Sequence, residues 1–243
     1  MLYIILMQIT KYYSPNFNEK PRSSKSITMI VIHYTGMQSE LESIKRLTNP
    51  ESKVSCHYLI NKKGMIFSIV NELKIAWHAG KSKWKNYNNV NDRSIGIELV
   101  NKGHRYGYEN FDTRQIRSLI YLCKKLKTKY KIKNSHIIGH SDIAPLRKID
   151  PGEKFPWNFL NSKHLGIYSN KSYIAFRNKK NKINKKRFFS NLNKIGYRYL
   201  NTKYKKKIIC NFQRHFRQAN ISGILDEETL KISDYIAKNP NKT

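Results

Sequence analysis

Met29-Ile-Val-Ile-His-Tyr-Thr35, closed by Gly36, is an apolar, β-branched run of the kind that fills a buried strand. His33 stands near its end, a polar residue in a stretch otherwise suited only to a core. Downstream, Ser94-Ile-Gly-Ile-Glu-Leu-Val100 repeats the same character and carries one carboxylate, Glu98. Between these two runs lies a hairpin signal: His57 to Ile60 and Met65 to Val70 flank Asn61-Lys62-Lys63-Gly64, with Gly64 placed for a positive φ. Ile75 to Gly80 predicts another short extended piece. Lys81 to Arg93 is polar and Asn-rich, a loop long enough to suspect of function.

Helical patterns interleave with these strands. Leu41, Ile44 and Leu47 predict a short helix after the first strand, ended by Pro50. Ile116, Leu119, Ile120, Cys123 and Leu126 predict an amphipathic helix from 113 to about 130, with Asp112 and Gln115 as a capping box. A strand over 136–139 follows. Strands alternating with helices imply an α/β (α+β) domain, a mixed central β-sheet flanked by helices. After Trp157 the pattern changes. A Lys/Asn-dominated stretch reads as a linker, and three helical patterns (188–195, 204–216 and one from Asp226) form a small C-terminal three-helix domain. The resulting division is an extension over 1–26, a main domain over 27–170, a linker over 171–186 and the helical domain over 187–243.

Composition narrows the function classes. At 243 residues with 39% hydrophobic residues, the chain can bury a core without a metal or disulfide staple, so any metal would serve chemistry. Cys56, Cys123 and Cys210 are odd in number and widely spaced, which excludes a disulfide framework and a Cys-type zinc cluster. The formal charge of +31 attracts polyanions. The excess is mostly Lys accompanied by Asn and Ile, without a nucleic-acid motif, so a solvated surface is favoured over a specific nucleic-acid site. The apolar start, Met1 to Ile9, is too short to span a membrane and lacks the features of a signal peptide or a lipid-accepting Cys.

Zinc in hydrolytic sites takes three nitrogen or oxygen protein ligands and keeps a fourth position for water. His33, His140 in Ile138-Gly-His-Ser-Asp142, and Asp150 are candidates. By spacing alone they stay open, because in a chain with 8 His a histidine on an apolar strand is more often a hydrogen-bonded core residue.

Several segments carry a resemblance that goes further: Val31-Ile-His-Tyr-Thr35, Ser55-Cys-His-Tyr-Leu-Ile60, Ala76-Trp-His-Ala-Gly80, Asn91-Asp-Arg-Ser-Ile-Gly-Ile-Glu-Leu99 and the run from Gly139 to Gly152, followed by Phe155-Pro-Trp157. In order and separation they resemble the type 2 family of zinc N-acetylmuramoyl-L-alanine amidases, most closely its amidase D branch. Asn211-Phe-Gln-Arg-His-Phe-Arg217 and Gly223-Ile-Leu-Asp-Glu-Glu-Thr229 resemble that branch's C-terminal peptidoglycan-binding-type helical domain. The resemblance implies Zn2+ as cofactor, with His33, His140 and Asp150 as ligands, Glu98 as the proton-shuttling catalytic glutamate and Lys148 as the cation that stabilises charge on the attacked carbonyl oxygen. For Trp77, His78, Asn91 and Arg93 substrate binding stands against ordinary core or turn roles, and His57 either lines the site or braces the strand of His33. The implied reaction is hydrolysis of the amide between the lactyl group of N-acetylmuramic acid and L-alanine in peptidoglycan or muropeptides, with a non-catalytic muropeptide-binding protein on the same fold as the alternative. A monomer is expected. The resemblance favours a cell-envelope location, periplasm or outer-membrane side, while the lack of a leader or lipid-anchor Cys leaves a cytoplasmic one open.

Overall fold

The computed structural model describes residues 9–169 and 183–239. The apolar start and most of the 171–186 stretch read as a linker lie outside the described residues. By contacts the chain forms two compact units, one of residues 1–80 with 91–132 and the other of 81–90 with 133–243.

The first unit holds β1 (Ile9–Lys11), β2 (Phe17–Asn18), β3 (Met29–Tyr34), α1 (Glu40–Thr48), β4 (Tyr58–Ile60), β5 (Ile66–Ser68), β6 (Ile75–Ala76), β7 (Ser94–Leu99), α2 (Gly103–Tyr106) and α3 (Thr113–Tyr130). Five of its strands make a sheet in the order β1-β5-β4-β7-β3, and β2 pairs with β6 separately. The sheet is mixed as expected: β3 and β4 both run parallel to β7, and the β4–β5 hairpin is antiparallel. Met29, Ile30, Val31 and Ile32 are all fully buried, the continuous apolar run that a strand covered on both faces requires.

Two strands were not foreseen. Ile9–Lys11, within the stretch read as an extension, pairs parallel with Ile66–Ser68, and Phe17–Asn18 pairs with Ile75–Ala76. Both are too short to show an alternating pattern in sequence. The capping box is half right. The Asp112 side chain accepts from the N–H of Arg114, whereas Gln115 turns inward and donates its amide to the carbonyls of Ile60 (2.9 Å) and Val100 (3.1 Å). A buried amide joining α3 to the ends of β4 and β7 thus replaces a local cap.

The second unit contains β8 (Ile137–Gly139), α4 (His140–Ile143), α5 (Trp157–Ser162), α6 (Lys185–Ile195), α7 (Lys205–Phe216) and α8 (Glu227–Lys238). The three C-terminal helices appear as expected, each with an apolar face: Phe188, Leu192 and Ile195 on α6, Ile208, Phe212 and Phe216 on α7, Ile232 and Ile236 on α8. α6 starts at Lys185, inside the Lys-rich stretch, because Asn184 caps it by accepting from the N–H of Arg187. Gln213 cements the unit, donating to the carbonyl of Ile224 and accepting from the N–H of Gly223.

No helix among the described residues is long and apolar enough to cross a membrane. Replacing Gln115 with Ala withdraws the donor from two buried carbonyls and is expected to lower stability by about 2–4 kcal/mol. Urea unfolding of the variant reads this directly, and a change below about 0.5 kcal/mol would mean that the amide is not a tie.

Candidate active site

Two parallel strands set the site in the first unit. β3 and β7 pair in register with His33 opposite Glu98, and in such a pair facing residues project from the same side of the sheet. A buried imidazole and a half-buried carboxylate therefore stand side by side. Behind them Cys56 is fully buried, and that burial first, with the charge of Glu98 second, pushes its thiol well above the ordinary range. It is an inert thiol.

His33 is held from behind. Its Nε2 lies 3.0 Å from Nδ1 of His78, whose own Nε2 lies 3.1 Å from the hydroxyl of Ser94. Room for that ring exists because residue 96 is glycine: a Cβ there would meet His78 Cγ at 2.3 Å. His78, a candidate for substrate contact, is thus buried with both ring nitrogens engaged. Asn91 directs its side-chain oxygen to the backbone N–H groups of His78 (3.2 Å) and Ala79 (2.7 Å), fixing the turn that presents the ring. Trp77 is half-buried and its indole donates to Asn18 at 2.7 Å, while Arg93 is exposed and its carbonyl accepts from Thr28.

His57 is entirely buried and accepts from the N–H of Gly96 through Nδ1, so it braces β7, the neighbour of the strand that carries His33. Its partner Arg22 was not picked out in the sequence. Arg22 sits buried with Nη2 at 2.9 Å from His57 Nε2 and donates to the carbonyls of Glu72 and Asn91. An arginine among polar residues ahead of the first strand carries no periodic signal, so only the fold reveals it. Burial first, and the Arg22 charge second, hold the His57 pKa down to about 3.

In the second unit His140 opens α4, and its Nδ1 lies 3.0 Å from Oδ2 of Asp150. Arg147 Nη2 approaches the other ring nitrogen at 3.4 Å and also donates to the carbonyl of Lys81. Lys148 is half-buried, with its N–H on the carbonyl of Ala144. Among the described residues His33, His140 and Asp150, all buried, form a group whose ligand atoms lie within 4.8 Å of one another. Two imidazoles and one carboxylate at such spacing suit a borderline divalent cation, and this group could hold a metal.

The family described as N-acetylmuramoyl-L-alanine amidase, Amidase_2, matches residues 23–153. The chain belongs to that family. Among the relatives of this amidase, N-acetylmuramoyl-L-alanine amidase AmiD of Escherichia coli is 34% identical over 227 residues, covering 86% of this chain and 81% of the relative. The 1,6-anhydro-N-acetylmuramyl-L-alanine amidase AmpD of Haemophilus influenzae is 33% identical over 177 residues, 65% of this chain and 94% of its own. The solved structure of E. coli AmiD with the substrate anhydro-N-acetylmuramic acid-L-Ala-D-gamma-Glu-L-Lys superposes with a TM-score of 0.80 at 31% identity, covering 93% of both chains. AmpDh3 of Pseudomonas aeruginosa gives a TM-score of 0.80 at 31% identity, covering 94% of this chain and 97% of that one.

The depressed His57 pKa has a signed consequence. Between about 3 and the ordinary 6.5 the unfolded chain binds a proton that the folded chain refuses, so this contribution to stability is full above 6.5 and declines as pH falls toward 3. A His57→Gln variant is expected to lose up to about one proton of slope in a stability–pH series. An unchanged slope would show that His57 protonates in the folded state as freely as in the unfolded.

Proposed function

We propose that this amidase hydrolyses the bond between the lactyl group of N-acetylmuramic acid and the L-alanine of the stem peptide, in peptidoglycan or its muropeptides, and that it uses zinc held by His33, His140 and Asp150. The observation that carries the reading is the buried ligand group of those residues, with Glu98 in register beside His33. The substrate class is supported by the relatives: E. coli AmiD is described in complex with an anhydro-N-acetylmuramic acid peptide as substrate, and P. aeruginosa AmpDh3 in complex with an anhydromuramic pentapeptide.

Zinc bound there would supply Lewis acidity, polarising the lactyl carbonyl and lowering the pKa of water. The chain's own groups do the rest. Glu98 accepts a proton from the attacking water and delivers it to the alanine nitrogen as the C–N bond breaks. The water oxygen stays on the lactyl carbon as a carboxylate, and the stem peptide leaves with a free amine. The Lys148 ammonium stabilises negative charge on the carbonyl oxygen while the carbon is tetrahedral. His78 holds the His33 ring through one nitrogen and leaves the other for the metal.

Incubation with a purified muropeptide, read by mass spectrometry, should give free sugar and free peptide. A muropeptide that binds but stays whole would replace hydrolysis with recognition. Metal analysis should find about one zinc per chain in the native protein and close to none in Asp150→Ala. Glu98→Gln and Lys148→Ala should keep the zinc yet lower kcat about 100-fold or more. Retention of zinc by Asp150→Ala would remove that residue from the ligand set.

A further inference from the structure

We propose that Asn211, on α7, is a positioning residue for the turn that carries Lys148. The inference rests on the role given to Lys148 above. Asn211 is 2% exposed, and its single amide group donates twice, to the carbonyl of Pro145 at 2.7 Å and to the carbonyl of Lys148 at 2.9 Å. An NH2 carries two hydrogens, so one side chain satisfies both ends of the turn.

Two other side chains reach the turn: Arg147 donates to the carbonyl of Lys81, and Lys207 Nζ lies 3.4 Å from the carbonyl of Leu146. Within it the N–H groups of Arg147 and Lys148 both go to the carbonyl of Ala144, which leaves the carbonyls of residues 145 and 148 for an outside donor. Asn211 is itself oriented, because its oxygen accepts from Arg214 Nη1 at 2.5 Å, and Arg214 Nε reaches Glu153 beyond the turn at 3.1 Å. Just past the end of α7, Gln218 donates to the carbonyl of Phe155 at 2.6 Å. Asn211 and Arg214 stand one turn apart on α7, and with Gln218 beyond the helix end they reach along the segment from Pro145 to Phe155. The Asn-Phe-Gln-Arg motif that reads as part of a wall-binding module therefore has a second job. Phe212 and Gln213 build the helical core, while Asn211 and Arg214 splint the segment that holds Lys148 and Asp150.

The test combines kinetics, exchange and a double-mutant cycle. Asn211→Ala and the near-isosteric Asn211→Leu are expected to lower kcat about 10- to 100-fold with KM within about twofold and zinc retained. Combining Asn211→Ala with Lys148→Ala should lower kcat no further than Lys148→Ala alone, because both act through one ammonium. Independently of activity, backbone amides of 144–150 should exchange hydrogen about tenfold faster in Asn211→Ala while those of α3 are unchanged. Wild-type kcat in both Asn211 variants, losses that add in the double variant, or unchanged exchange at 144–150 would each overturn the proposal. Failure of the zinc amidase reading would appear separately, as a native protein that cuts no muropeptide while the exchange difference persists.

Discussion

The register of β3 against β7 is the constraint on which the site depends. A shift of one residue would turn Glu98 to the opposite face from His33 and separate the proposed base from the proposed ligand. Register is held because residues 29–32 and 94–97 are buried on both faces and allow no slippage. The same strand supplies Gly96, whose missing side chain admits the His78 ring and whose N–H fixes His57. One strand thus sets the base, the space behind the ligand and the brace.

The second unit solves a related problem with polar groups. Segments 139–155 have almost no regular structure to hold them, so their positions come from buried side chains. Asp142 accepts from the N–H of Gly139, from the Tyr197 hydroxyl and from His215 Nδ1, and His215 stacks on Trp157 at 3.9 Å between ring centroids. A carboxylate with only 1% of its surface exposed is tolerated because each oxygen is partnered. The helices after residue 183 belong to one compact unit with the segment that carries His140 and Asp150.

Much of this was legible in the residues. β3, β7, the hairpin, α3 and the C-terminal helices follow from apolar periodicity, and the family motifs singled out His33, His140 and Asp150 in advance. What sequence could not show is where polar side chains end. His78 looked like a cleft residue and stands behind His33; Gln115 looked like a cap and ties strands; Asn211 read as part of a binding module and donates to the turn of Lys148; Arg22 gave no signal. Each is a case of tertiary partners deciding a polar group's role, which no local pattern encodes. Among the described residues no lysine is buried, while Arg22 and Arg217 are, each among hydrogen-bond acceptors.

Isotope labelling reads most directly whether water attacks the lactyl carbonyl. Turnover of a muropeptide in water enriched in oxygen-18 should place one heavy oxygen in the muramic lactyl carboxylate and none in the released L-alanine peptide. Heavy oxygen appearing at a peptide carboxyl instead, or a substrate recovered intact and unlabelled, would contradict it.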